Sequence, residues 1–301
     1  MHAVPRPPQG TLDEEESSTR SGPLARDRHL LTVLVGDELG QVIQLDGNEL
    51  LLGRGDQVHV RLVDPGLSWI HARLRRLQGG FYLEDLASTN GTFVGGKRID
   101  TPVRLSDGDR IQLGGHTTLK FSVVDELEES AALRLYRSMV HDALTGVFNR
   151  RYLEGRLSTE VSFACRHGTT LALLLIDVDH FKRVNDLLGH NVGDATLRVI
   201  AVSIQRIIRP EDVLARYGGE EFVVLARSIT PRNAEILAER IRGHVEELEL
   251  ALADDLPMSV SVGVAIIAPG HSRPDAAALL STADKAMYEA KAQGRNCVVI
   301  R

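Results

Sequence analysis

The chain has 301 residues, of which 43% are hydrophobic and 25% charged, with a formal net charge of -6. This is a globular composition with enough apolar material for two cores, and a length prior of roughly 150 residues per domain suggests two domains. The negative balance excludes a sequence-independent nucleic-acid binder, which needs a basic face to displace counterions, but a few local cations still suffice to hold a nucleotide.

In chain order, residues 1–28 come first, polar and broken by Pro5, Pro7, Pro8 and Pro23. They carry the acidic run Asp13 to Glu16 and read as a flexible tail that cannot bury enough surface to order itself. Residues 29–124 read as all-β. Short apolar stretches at 31–35, 42–45, 49–52, 72–77, 81–84, 110–113 and 119–124 are separated by turn residues such as Gly36, Gly40, Gly79 and Gly80. That rhythm predicts a sandwich or barrel. Residues 125–141 lack Gly and Pro and set Leu127, Leu133 and Val140 among Glu and Arg, which predicts one linking helix and leaves a short coiled-coil seam open. Residues 142–301 alternate, with helices predicted at 149–167, 193–209, 231–249 and 275–293 and strands at 170–177, 212–217, 220–226, 259–267 and 296–300. This is an α/β domain on a mixed sheet.

No apolar run is long enough to cross a bilayer, and the N-terminus has no signal-like apolar core, so a cytoplasmic protein without a membrane partner is expected. Cys165 and Cys297 fall outside any CxxC pair and are expected to be buried, reduced thiols.

The apolar strand at 171–176 ends in Asp177-Val178-Asp179. Alternate strand residues share a face, so Asp177 and Asp179 are expected to project together, as suits a hard cation such as Mg²⁺; the alternative for Asp179 is capping the next helix. Further on, Gly218-Gly219 separates two apolar strands as in a β-hairpin turn that needs positive φ. Glu220 and Glu221 follow it as strand neighbours facing opposite ways, so only one is expected to join Asp177 without distortion.

Residues 142–301 resemble a GGDEF diguanylate cyclase domain along their whole length. The resemblance rests on several ordered motifs. Asp142, Leu144, Thr145 and Gly146, followed by Asn149-Arg150-Arg151, form the opening motif. The long nucleotide motif runs from Asp177 to Asp194. Arg216-Tyr217-Gly218-Gly219-Glu220-Glu221-Phe222 is the signature. The closing helix holds Asp284-Lys285-Ala286-Met287-Tyr288, Lys291 and Gly294-Arg295-Asn296. The resemblance implies a nucleotidyl-cyclase-like fold and a bacterial signalling transferase that condenses two GTP into cyclic di-GMP. It implies that Asp177, the Val178 carbonyl and Glu220 hold Mg²⁺, with Glu221 completing a two-metal site that also takes Mn²⁺, and that Glu220 accepts the proton in catalysis. Asn185 and Asp194 match the guanine readers, and the carboxylate at 194 favours GTP over mixed purines because it accepts from the guanine N–H edge. Phe181, Lys182, Lys291 and Arg295 complete the substrate site. Arg209 and Asp212 form an RxxD motif, with five residues between Asp212 and Gly218. The family carries an inhibitory product site there, to which Arg240 would contribute. Because the product joins two nucleotides, catalysis implies a homodimer.

Residues 30–124 resemble an FHA domain through Gly53-Arg54, Ser68-Trp69-Ile70-His71 and Asp85 to Thr92, which all fall in loops between strands. The resemblance implies phosphothreonine recognition, with Arg54 and Ser68 on the phosphate, Thr89 adding a hydroxyl, Asn90 on the peptide backbone, and His71 structural. Trp69 departs from the polar or basic residue common there, for which Arg73 is a candidate substitute. Ligand sources are another phosphoprotein or the chain's own tail after a Ser/Thr kinase acts; Thr11, with Glu14 at +3, and Thr19 are the candidate sites. The expected organisation is therefore a tail (1–28), an FHA sandwich (29–124), a linker helix (125–141) and a GGDEF domain (142–301). Two other readings remain at this stage: a non-catalytic nucleotide sensor, and a scaffold that recruits phosphoproteins.

Overall fold

The computed structural model describes residues 25–36, 38–248, 258–268 and 275–301. Thr11 and Thr19 lie outside the described residues, as does nearly all of the 1–28 tail.

The N-terminal half consists of β1 (Arg28–Val35), β2 (Val42–Gln44), β3 (Glu49–Gly53), β4 (Val60–Arg61), β5 (Ala72–Leu77), β6 (Gly80–Asp85), β7 (Thr92–Val94), β8 (Lys97–Arg98), β9 (Val103–Arg104), β10 (Arg110–Leu113) and β11 (Thr117–Val124). They form two sheets ordered β2-β1-β11-β10-β7-β8 and β4-β3-β5-β6-β9. In β5, Ala72 and Leu74 are buried while Arg73 and Arg75, which alternate with them, are not, which is the alternation of a sheet with one face on the core. Phe81 and Phe121 meet edge-on at 6.1 Å between the sheets. All seven predicted strands are present. β4, β7, β8 and β9, of two or three residues each, are too short to leave a periodic trace.

The predicted linker is α1 (Glu126–Val140). Asp125 caps it, accepting from Glu128 N at 2.8 Å, while Glu128 Oε2 accepts from Asp125 N at 3.1 Å. Val140 is buried, but Leu127 and Leu135 are exposed, and the buried acid Glu129 accepts from Gln44 Nε2 at 3.1 Å.

The C-terminal half runs β12 (Phe148–Asn149), α2 (Arg150–His167), β13 (Leu171–Val178), α3 (Phe181–Leu188), α4 (His190–Ile207), β14 (Val213–Gly218), β15 (Glu221–Arg227), α5 (Pro231–Glu246), β16 (Val260–Ile267), α6 (Ala276–Ala292) and β17 (Val298–Ile300). The sheet order is β12-β14-β15-β13-β16-β17. Its two outer pairs are parallel and its inner pairs antiparallel, so the sheet is mixed, as expected. The central strand β13 is buried throughout. Leu171, Leu173 and Leu175 pack toward α2 and α6, and Ala172, Leu174 and Ile176 toward α3, α4 and α5. Burial on both faces is why this strand is continuously apolar. The helix predicted from 193 starts at His190, and α3 precedes it across Gly189 at φ +84°.

The halves meet through charges. Arg156 of α2 lies 3.4 Å from Glu38 and 2.8 Å from Glu160, and Glu160 takes Arg227 of β15 at 3.0 Å. Cys165 and Cys297 are unbridged, and half-buried rather than fully buried. Among the described residues no helix is long and apolar enough to cross a membrane.

Candidate functional site

The polar residues of the C-terminal half gather where β13 ends and β15 begins, beside the signature turn. In the antiparallel ladder Asp177 stands opposite Glu221, and Val178 N donates to Glu220 O at 3.3 Å. Gly219, at φ +49°, turns the chain between the strands, in the left-handed region that glycine enters without strain; Gly218 does not share that conformation. Lys291, near the end of α6, reaches Asp177 at 2.7 Å. Burial raises the Asp177 carboxyl above the usual carboxylate range; Lys291 opposes this, and Glu220 and Asp179 add to it. Glu221 is raised as well, first by burial and then by the charge of Asp177.

Asp179 does not join this group. It is buried and accepts from Ser259 Oγ and Ser261 Oγ at 2.7 Å each, and from Asn296 N at 3.1 Å. Strand geometry ends at Val178, so the period-two argument that placed it beside Asp177 stops one residue short. It does not cap α3 either, since His180 holds that position. Its role is to tie the start of β16 to the turn before β17.

Among the described residues no three carboxylate, imidazole or thiol side chains converge closely enough to cage an ion alone. The donor set nevertheless fits a hard cation of the Mg²⁺ type, which is held by one or two carboxylates with phosphate oxygens completing its shell. Burial raises both Asp177 and Glu221, with Glu220 and Asp179 adding to the first and Asp177 to the second, and a divalent charge at the site would relieve both.

The second group lies where α3 meets α4. A Cβ on Gly193 would collide with Asn185 Oδ1 and approach Phe181 Cζ to 3.2 Å, so the missing side chain is what lets Asn185 and Phe181 pack against α4 at Gly193, the residue before Asp194. Phe181 is buried and Asn185 and Asp194 half-buried. Lys182 is exposed on the first turn of α3, and Arg295 is exposed after α6 at φ +67°.

The sequence reading assigned no role to Arg216 or Asp142, yet they hold the signature turn. Arg216 donates to Gly219 O through Nε at 2.9 Å and Nη2 at 2.7 Å, and through Nη1 to Asp142 Oδ1 at 3.2 Å. Asp142 also accepts from Thr145 N and Oγ1. Burial works against its charge, but these donors outweigh it and hold the carboxyl below the usual range. Both residues sit in quoted motifs; only their contact was invisible.

On another face, Arg209, Asp212 and Arg240 line one cleft of about 460 Å³ with Ile236 and Asn233. Asp212 Oδ2 accepts from Arg209 N at 3.0 Å, while its buried Oδ1 has no partner. Burial raises the Asp212 carboxyl. Arg240 Nη2 donates to Ile207 O at 2.7 Å.

In the sandwich, the three predicted phosphate loops come together. Thr89 N donates to Ser68 Oγ at 3.1 Å, and Asn90 Nδ2 donates to Gly66 O at 2.8 Å. Arg54 N donates to Ser68 O at 3.1 Å, and its guanidinium lies 4.9 Å from the Trp69 ring centre. Arg54 Nε is buried without a hydrogen-bond partner. His71 is fully buried, with Ser68 N donating to its Nδ1 at 3.1 Å and its Nε2 3.1 Å from Gly91 O. Arg73 is no substitute for a basic residue at position 69: its Nε and Nη2 both donate to Glu84, at 3.1 and 2.8 Å. It reaches across to the neighbouring strands, to Glu84 on β6 and toward Glu49 on β3 at 3.8 Å.

Comparison with known proteins matches this geometry. The family described as diguanylate cyclase, GGDEF domain, matches residues 139–297, and the FHA domain family matches residues 50–114. The response regulator PleD of Caulobacter vibrioides is 43% identical over 163 residues, 53% of this chain and 36% of that protein. The probable diguanylate cyclase DgcT of Escherichia coli is 40% identical over 177 residues, 57% of this chain and 38% of that protein. The chain thus spans little more than a third of the length of these curated relatives. The solved coiled coil and GGDEF domain of DgcB from Caulobacter crescentus, in complex with c-di-GMP, superimposes with a TM-score of 0.54 at 30% identity, covering 58% of this chain and 93% of that one. With the signature turn, its carboxylates and the preceding phosphate loops in these places, the chain belongs to the GGDEF family and carries an FHA domain ahead of its GGDEF domain.

Proposed function

We propose that the protein is a diguanylate cyclase, condensing two GTP into cyclic di-GMP and two pyrophosphates, under control of phosphothreonine binding to its FHA domain. The observation that carries the reading is the pair of buried Asp177 and half-buried Glu221 beside the Gly219 turn, with Lys291 against Asp177. Such a set is costly to bury without a polyphosphate and cation to match it.

Asp177, the Val178 carbonyl, Glu220 and Glu221 would hold two Mg²⁺, which when bound neutralise the triphosphate and acidify the ribose 3'-hydroxyl. Lys291 then exchanges Asp177 for phosphate oxygens, with Lys182 and Arg295 as further phosphate partners. Asn185 and Asp194 read the guanine edge, and Phe181 backs them. Glu220 accepts the 3'-hydroxyl proton. The oxygen forms a bond to the α-phosphorus of the second GTP, the α–β bridging bond breaks, and pyrophosphate leaves with that electron pair. Each bound nucleotide supplies one attacking hydroxyl, so two protomers must face each other as a homodimer. Arg209, Asp212 and Arg240 bind the product and slow the enzyme. Arg54, Ser68, Thr89 and Asn90 take a phosphothreonine peptide, from the chain's own N-terminal segment or from another protein, after a Ser/Thr kinase has acted.

The test is incubation of the purified protein with GTP and Mg²⁺, following cyclic di-GMP, beside Glu220→Ala. Product that disappears in the variant supports the cyclase. A wild-type protein that stays silent, even when artificially dimerised and presented with phosphopeptide, but still binds GTP, contradicts it in favour of a nucleotide sensor.

A further inference from the structure

Of the FHA loop residues, Arg54 and Trp69 face the other domain, while Ser68, Thr89 and Asn90 lie outside the cleft between the two domains. Arg54, Arg61 and Trp69 form one wall of a cleft of about 380 Å³, and α2 of the GGDEF domain forms the other, through Ser162, Phe163 and Arg166. His167, also in its lining, ends that helix.

The charges in this cleft do not cancel. Asp56 is engaged by Arg61 at 2.8 Å. Asp64 is engaged by Gly66 N and Thr117 Oγ1, both at 2.7 Å. Arg54 Nε and Arg61 Nε are buried without hydrogen-bond partners. Arg166 and His167 are exposed on the last turn of α2. The FHA wall balances Arg54 and Arg61 against Asp56 and Asp64, so the unmatched charge is Arg166 on the α2 wall, while the orphaned guanidinium donors on the FHA wall call for an acceptor such as an anion. Between the charges, Trp69, which is 55% exposed, and the half-buried Phe163 offer an apolar pair across the gap.

We propose that the phosphopeptide site of this protein is composite: the FHA loops hold the phosphothreonine, and α2 of the GGDEF domain reads its flanks, Arg166 and His167 taking an acidic residue and Phe163 with Trp69 an apolar one. The ligand class is an extended phosphothreonine peptide with acidic flanks. This rests on the FHA domain binding phosphothreonine, and adds that the catalytic domain supplies specificity. It also makes regulation concrete. The cleft lies beside the Glu38–Arg156–Glu160–Arg227 chain of charges that joins the domains. A peptide gripped by both walls therefore binds the docked arrangement in preference to the separated one, and by linkage stabilises it. Trp69, out of place in a phosphate loop that serves one domain, is placed for this second duty.

The full chain would be challenged with an oriented phosphothreonine peptide library, fixing each flanking position in turn, and the selected peptide titrated by fluorescence anisotropy. The wild type is expected to select acidic flanks. Arg166→Glu is expected to lose that selection and to bind the acidic peptide about fivefold more weakly or worse, as for a lost and reversed surface ion pair. Arg206→Glu, an exposed site on α4 carrying the same charge change, is expected to bind as wild type, and Arg54→Ala to lose binding altogether. If Arg166→Glu matches wild type in selectivity and affinity while Arg54→Ala loses binding, the composite site is wrong and the FHA reading stands. If the wild type shows no preference for phosphorylated peptides, the FHA reading falls and the composite site with it.

Discussion

Gly193 shows how tightly single positions are specified. It lies inside α4, where glycine costs about 1 kcal/mol relative to alanine, so its presence needs a reason. The reason is Asn185 Oδ1, which occupies the space a Cβ would take. Gly193→Ala is expected to stabilise the helix locally yet displace Asn185, raising the KM for GTP about tenfold, the scale of one misplaced hydrogen-bonding group; steady-state kinetics over a GTP series would check it. His71 makes a different demand. Burial lowers its pKa from the ordinary 6.5, so the folded protein keeps it neutral while the unfolded chain takes up a proton. Its contribution to stability is therefore complete above about pH 6.5 and lost as pH falls through the folded-state value. A titration of the His71 ring protons by NMR should give a midpoint below 6.5, and a midpoint at or above it would contradict this account. Asp177 was legible as a site residue because an apolar strand ended on it. The Asp142–Arg216 pair was not, because its partners lie 74 residues apart.

Among the elements, α1 was readable because it sets apolar residues among charges and excludes Gly and Pro, whereas α3 blurred into its surroundings. Only Phe181 and Val184 of its eight residues are buried, too few for a periodic pattern. The α1 cap carries its own prediction: Asp125→Ala should cost about 1 kcal/mol in urea unfolding, since Glu128 N loses its acceptor. The α2–β15 junction is more sensitive. Glu160 is buried at 3% exposure between Arg156 and Arg227. Glu160→Ala would take this acceptor from half-buried Arg227 and leave Arg156 with Glu38 at 3.4 Å, so a loss of about 3 kcal/mol is expected, read as a lowered thermal midpoint. Glu160→Gln, which keeps an acceptor, should lose less.

At the level of the molecule, three polar sites are arranged around one C-terminal sheet and its helices: the carboxylate turn, the Arg209–Asp212–Arg240 cleft, and the FHA cleft against α2. Neither of the last two clefts is lined by residues of the turn, so under the proposed regulation a signal would pass through packed elements, and β15 offers a direct one. It begins at Glu221 and ends at Arg227, in the interdomain charge chain. Arg209→Ala is expected to abolish the slowing of turnover by added cyclic di-GMP, measured as initial rate against product concentration. Retained inhibition would remove that cleft from the account.

The sequence by itself determined the two domains, the linking helix, the mixed sheet and most of the residues around the turn. Local periodicity and ordered motifs are properties of neighbouring residues, which the chain carries in any conformation. The tertiary structure decided what depends on residues far apart in the chain. It withdrew Asp179 from the cation group and gave it to Ser259, Ser261 and Asn296; it bound Arg73 to Glu84; and it set Arg166 opposite Arg54. A buried carboxylate or guanidinium takes the partners that folding brings within hydrogen-bond reach, and distance in space is not written in the order of residues.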